Sequence, residues 1–137
     1  MDAPYPPRRV LVIDDEPGVR KMLAALLRKA GHDVVEAESG SAGLARFRET
    51  PADIVLTDFA MPGLTGWEVA RAVKALNPRV PVGYVTGAAH AIAPHQQAEV
   101  EAIVEKPCGL TALLTVIRVL TVTTGDRPTA GPPLASA

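Results

Sequence analysis

One cysteine, Cys108, is all this 137-residue sequence contains, so no internal disulfide can close and a cysteine-based zinc site lacks its further ligands. Redox chemistry is thereby set aside, and Cys108 reads as a small packing residue. An excess of basic charge is missing too. The 14 Lys and Arg face 15 Asp and Glu, a formal net charge of -1, which leaves no broad positive field for direct nucleic-acid binding. The strongest apolar stretches, Val10 to Ile13 and Leu110 to Val122, are too short or too interrupted to span a hydrocarbon layer of about 30 Å. Pro4, Pro6 and Pro7 ahead of Arg8 and Arg9 are unlike the apolar run of a secretion signal. Membrane association is not expected, and the cytoplasm is the default compartment. His32, His90 and His95 lack metal-ligand spacing, and no internal repeat stands out beyond an alternation of strands and helices.

What is present is a globular composition, 47% hydrophobic and 21% charged. Pro, Gly, Thr and Ala crowd both ends, so residues 8–122 are expected to form one domain between flexible termini at 1–7 and 123–137. Short β-branched runs at Val10 to Ile13, Val34 to Ala37, Ile54 to Thr57, Val82 to Val85 and Ala102 to Val104 predict five buried strands. Amphipathic segments lie between them, the pattern of βα units and a parallel sheet covered on both faces. The first helix opens at Pro17, lines up Val19, Met22, Leu23, Leu26 and Leu27, and ends at Gly31. The second runs from about Ser41 to Glu49. Thr65 and Glu68 make a capping-box signature for the third, which stops before Asn77 and Pro78. The fourth is expected to be short, starting near Pro94, because Ala88 to Val100 has little period. The last, about Leu110 to Leu120, carries more apolar residues than one stripe can hold.

In an open α/β sheet, ligands bind beyond the carboxyl ends of the strands. Those ends are polar here: Asp14, Asp15 and Glu16 after the first strand, Asp58 after the third, Thr86 after the fourth, and Lys106 with Pro107 after the fifth. Clustered carboxylates raise one another's pKa and call for a cation. Ligands that are all oxygen point to Mg2+, and Lys106 adds a positive charge able to meet Asp58 or phosphate oxygens. Such an edge attracts a phosphoryl group.

Val-Leu-Val-Ile-Asp14-Asp15-Glu16-Pro17, Asp58-Phe-Ala-Met61-Pro62-Gly-Leu-Thr-Gly66, Thr86-Gly87 and Lys106-Pro107, in that order over residues 8 to 120, resemble the receiver domains of bacterial two-component systems. The resemblance implies a flavodoxin-like doubly wound (βα)5 sheet of order 2-1-3-4-5. It implies that Asp58 takes a phosphoryl group from a histidine kinase or phosphotransfer protein. By the same match Asp15, Asp58 and the Ala60 carbonyl ligate Mg2+ while Asp14 helps hold it. Lys106 offsets charge on the phosphoryl oxygens, and Thr86 gives its hydroxyl to the new phosphate. Lys106-Pro107 matches the family's cis peptide, and the chain is expected to assist its own phosphorylation and dephosphorylation without being an enzyme.

The sequence departs from the family at Ile103, three residues before the lysine, where many receivers carry an aromatic switch. Ala60 and Ala88 offer no side chain to shield an acyl phosphate from water. Met61, Pro62 and Gly66 are expected to shape the turn, and Trp67 to be a partly exposed packing residue. A homodimer or an output partner is expected on the face built from the fourth helix, fifth strand and fifth helix. Two rivals stand beside this reading: a Mg2+-dependent phosphohydrolase using Asp14, which would show Asp-x-Asp after the first strand, and a receiver-like interaction module that does not signal by phosphorylation.

Overall fold

Short strands buried on both faces dictate the architecture: β-strand residues 10–13, 54–57 and 82–86 are buried at every position, so each face of the sheet needs its own layer of helices. A computed structural model describes residues 7–107 and 109–123. Within them the order is β1 Arg9–Ile13, α1 Pro17–Lys29, β2 Asp33–Ala37, α2 Gly40–Glu49, β3 Ile54–Thr57, α3 Gly66–Leu76, β4 Val82–Thr86, α4 Pro94–Gln97, β5 Ala102–Glu105 and α5 Leu110–Thr123. All five strands are parallel, in the order β2-β1-β3-β4-β5. The expected doubly wound fold is therefore the observed one.

Successive side chains of a strand point to opposite faces, and here each face finds its own helices. Val10 and Val12 of β1, with Ile54 and Leu56 of β3, pack against Leu23, Ala24 and Leu27 of α1 and Leu113, Ile117 and Leu120 of α5. Leu11 and Ile13, with Val55 and Val82, pack against Leu44 and Phe47 of α2 and Val69, Ala70 and Val73 of α3. A third, smaller cluster joins Phe59, Tyr84 and Ile92 under α4. The strands and most helices differ from their sequence-based bounds by one residue or so. Two helix starts are fixed by side chains: Ser39 accepts from the Ala42 amide, and Thr65 and Glu68 form the expected reciprocal capping box.

α4 is a single turn that buries none of its residues, preceded by a 3-10 turn at Ala89–Ala91. Polar contacts hold it instead. The Tyr84 hydroxyl donates to the Gln96 carbonyl at 3.1 Å, and the Trp67 indole N–H donates to Glu99 at 3.1 Å while its ring meets His95 edge-on. Trp67 is half-buried, as expected. α5 runs to Thr123, three residues past its expected end, with Leu110 and Val119 exposed on its outer side. Thr123, placed at the start of the expected flexible C-terminal end, closes α5 instead; the expected flexible ends at 1–6 and 124–137, and the packing role given to Cys108, lie outside the described residues.

Candidate functional site

The sheet register brings the acids together. β1 and β3 pair Ile13 with Thr57, and the ladder runs one step further: the Asp58 amide donates to the Ile13 carbonyl at 2.9 Å, and the Asp14 amide to Ala37 at 3.1 Å. Asp14 and Asp58 thus leave neighbouring strands side by side. On the other flank β4 and β5 pair Thr86 with Glu105, and the Lys106 amide donates to the Thr86 carbonyl at 3.0 Å. The Lys106 ammonium reaches back across this edge. Its Nζ lies 2.8 Å from Asp14 Oδ2, 3.0 Å from Glu16 Oε1 and 3.1 Å from Asp58 Oδ2.

One ammonium facing three carboxylates leaves an excess of negative charge at this spot. Asp14 is only 1% exposed, and burial raises its pKa above the ordinary carboxylate range; Lys106 and the Glu16 amide, which donates to Asp14 Oδ1 at 3.0 Å, oppose that rise. Lys106 moves upward: burial works against its charge, but the hydrogen bonds and field of Asp14, Glu16 and Asp58 outweigh burial. Asp14 Oδ2, close to Lys106 as it is, accepts no hydrogen bond of good geometry. A buried carboxylate oxygen in that state is open to a further cation. Carboxylate oxygens of Asp14, Glu16 and Asp58 all lie within 4.8 Å of one another, so the group can hold a hard metal ion.

The turn after Asp58 is built to keep that carboxylate in place. Gly63, after Pro62, has φ +77°, which an L side chain rarely adopts. The Gly66 amide donates to the Phe59 carbonyl at 2.8 Å, and a Cβ on Gly66 would collide with the Asp58 carbonyl oxygen. Met61 is buried, so these residues shape the turn as the sequence suggested. Inside the strand, Thr57 donates its hydroxyl to the Asp58 carbonyl at 2.9 Å.

Of the residues singled out from sequence, Asp14, Asp58 and Lys106 meet directly. Thr86 is buried at the end of β4 with its Oγ1 accepting from the Ala88 amide at 3.1 Å, and Ala60 is exposed just past Asp58. Asp15 is exposed and stands outside the close acidic group, whose third member is Glu16. Sequence reasoning quoted Glu16 without giving it a role; its place after two aspartates and before a helix was the available signal. The Lys106-Pro107 peptide is cis, as the resemblance implied. The three histidines stay apart: His32 accepts from the Arg8 amide, His95 touches Trp67 and His90 is exposed.

A model of the response regulator receiver domain matches residues 10–118. The chain belongs to the receiver-domain family. This receiver is similar to the response regulator receiver protein CpdR of Brucella abortus, with 32% identity over 84% of the chain and 98% of that relative. Protein PilH of Pseudomonas aeruginosa is 41% identical over 57% of the chain, and the chain spans 66% of its length. Among solved structures, the response regulator protein TrrA of Thermotoga maritima, solved in complex with Mg2+-BeF, superposes with a TM-score of 0.77 and 28% identity over 82% of this chain and 98% of that one. No described helix of this receiver is long and apolar enough to cross a membrane.

Proposed function

We propose that this receiver is a cytoplasmic phosphoacceptor switch whose Asp58 takes a phosphoryl group from a histidine kinase or histidine phosphotransfer protein. The observation that carries this is the buried Asp58 carboxylate, held 3.1 Å from the Lys106 ammonium in one acidic group with Asp14 and Glu16. In the transfer an Asp58 oxygen forms a bond to phosphorus as the donor's N–P bond breaks, and that electron pair returns to the imidazole nitrogen. Asp14, Asp15 and Asp58, with the Ala60 carbonyl, would hold Mg2+, which when bound supplies positive charge against the phosphoryl oxygens. The oxygen-only donor set suits that ion, as does Asp14 Oδ2, buried beside the Lys106 ammonium without a well-aligned hydrogen bond, and TrrA was solved with Mg2+-BeF.

Lys106 adds a fixed cation, and the Thr86 hydroxyl, accepting from the Ala88 amide, keeps its proton for an incoming phosphate oxygen. The chain thereby assists its own phosphorylation and dephosphorylation and turns over no other substrate. Ile103 of β5 is 38% exposed and Val119 of α5 is 45% exposed, and such uncovered apolar side chains fit a contact of the α4, β5 and α5 face with an output partner or a second copy. Incubation with acetyl phosphate and Mg2+ tests the reading: intact mass is expected to rise by one phosphoryl group in the wild type and not in Asp58→Asn. An unmodified wild type would leave the non-phosphorylated interaction module as the better account.

A further inference from the structure

We propose that Arg20 is a positioning residue for the acidic loop, holding the Asp14 carbonyl and tying it to Glu36 of β2 so that the carboxylates meet Mg2+ in the right arrangement. This rests on the phosphoacceptor reading above and names a residue that reading does not use. The three residues between β1 and α1 must turn the chain sharply while presenting Asp14, Asp15 and Glu16 to one edge. Three groups of Asp14 have separate anchors: its amide donates to the Ala37 carbonyl, its Oδ1 accepts from the Glu16 amide, and its carbonyl accepts from Arg20 Nη1 at 2.9 Å. The last anchor is the only one of the three that comes from a side chain outside the loop.

Arg20 grips the loop twice, because its own amide donates to the Glu16 carbonyl at 2.9 Å in the first turn of α1. Its Nε meets Glu36 Oε1 at 3.3 Å, and Glu36 is braced by Arg28 Nη1 at 3.2 Å and Lys21 Nζ at 4.0 Å. Arg28 in turn donates to the Val34 carbonyl, so the chain of contacts ends on the β2 backbone. Glu36 pairs in register with Val12, two residues before Asp14. Glu36 already has two other cations, so the distinct contribution of Arg20 is its second donor, aimed at the Asp14 carbonyl. With a side chain only 12% exposed, that guanidinium is desolvated and its planar fork is fixed at both ends. The orientation of the peptide after Asp14 decides where the Asp14 and Asp15 carboxylates project, so freeing it loosens the ion's ligands without removing one.

Residues that orient metal ligands typically change affinity by about 10- to 100-fold when lost. Arg20→Met keeps the apolar stem and removes both donors; Arg20→Lys offers one ammonium, which reaches one acceptor at a time. Mg2+ is titrated into unphosphorylated protein by calorimetry, and the acetyl phosphate rate is followed against Mg2+ concentration. We expect the dissociation constant to rise about tenfold in Arg20→Met and less in Arg20→Lys, with half-saturating Mg2+ rising in step and most of the rate recovered at saturation. A folded Arg20→Met with wild-type Mg2+ affinity would overturn the proposal, as would a lower rate at saturating Mg2+ with unchanged affinity. If Arg20→Met does not fold, Arg20→Lys decides by the same criteria. Wild-type protein that binds no Mg2+ would instead refute the function on which the proposal rests.

Discussion

Removing Lys106 tests the electrostatic account of the site most directly. Lys106→Met preserves much of the stem and takes away the ammonium that lies within 3.1 Å of three carboxylates. Glu16 is 60% exposed, so water screens its loss, and little stability is at stake there. Asp14 and Asp58 are buried and are left facing each other without a counter-charge. Breaking a buried pair by deleting one partner costs about 3 to 5 kcal/mol, and the partly open edge places this case near the lower end, at about 3 kcal/mol. The deficit is to be measured by urea unfolding in EDTA and again in saturating Mg2+. Because Lys106 and a divalent ion offer charge to the same oxygens, Mg2+ is expected to stabilise the variant more than the wild type. Acid should act in the same direction. A carboxyl whose folded pKa lies above its unfolded value contributes stability that is complete below the unfolded value and is lost as pH rises, so lowering pH from about 7 to about 5 should recover part of the loss. If Lys106→Met is as stable as wild type in EDTA, or Mg2+ helps both proteins equally, Lys106 is not the counter-ion of this cluster.

Gly66→Ala places a Cβ against the Asp58 carbonyl oxygen and 2.8 Å from Phe59 Cα, backbone that cannot step aside cheaply; we expect a loss of about 1 to 3 kcal/mol in urea unfolding and slower modification by acetyl phosphate. Tyr84→Phe removes the hydroxyl that donates to the Gln96 carbonyl, and with it about 1 to 2 kcal/mol; hydrogen exchange should show faster exchange of the α4 amides with the sheet unaffected. Tyr84 itself is pushed up to about 12 by burial and by the nearby negative charge of Glu99, so its phenol should not ionise in an absorbance titration until well above the ordinary tyrosine range. His32 is held below its ordinary value by burial and the Arg8 charge. The unfolded chain therefore takes up this proton first on acidification, so the stability tied to neutral His32 is present above about pH 6.5 and declines as pH falls. His32→Asn keeps an acceptor for the Arg8 amide, and its stability should fall less steeply from about pH 7 to about pH 5.

Strands, faces and the acidic edge were legible because each follows from local chemistry. Val10 to Ile13 can be placed from β-branching and hydrophobicity alone, and Asp14 must then leave at the carboxyl end. Pro94 and the poor period around it marked α4 as short for a reason that the structure bears out, since none of its residues is buried. What escaped the sequence depends on which side chain happens to reach which across the fold. Glu16 joins Lys106 although 90 residues separate them, and Arg20 reaches a backbone carbonyl, an interaction that leaves no mark on residue spacing.

The same limit bears on Ile103, where the sequence departs from the family pattern. Ile103 in place of an aromatic suggested a missing element between the acceptor and the surface. The register pairs Ile103 with Tyr84, so the ring is found one strand inward. There it meets Phe59, the residue after Asp58, edge-on at 5.3 Å, and its hydroxyl holds the α4 backbone. Tyr84 also shares a strand face with Thr86, two residues further along β4. An aromatic linking the turn after Asp58 to α4 is therefore present, but it belongs to β4, fully buried, while Ile103 is left 38% exposed on the edge strand. A ring that is fully buried cannot swing between exposed and buried positions, so Tyr84 joins the Asp58 turn to α4 by packing and a hydrogen bond, a link that exists only through the pairing of β4 with β5 and leaves no mark at position 103.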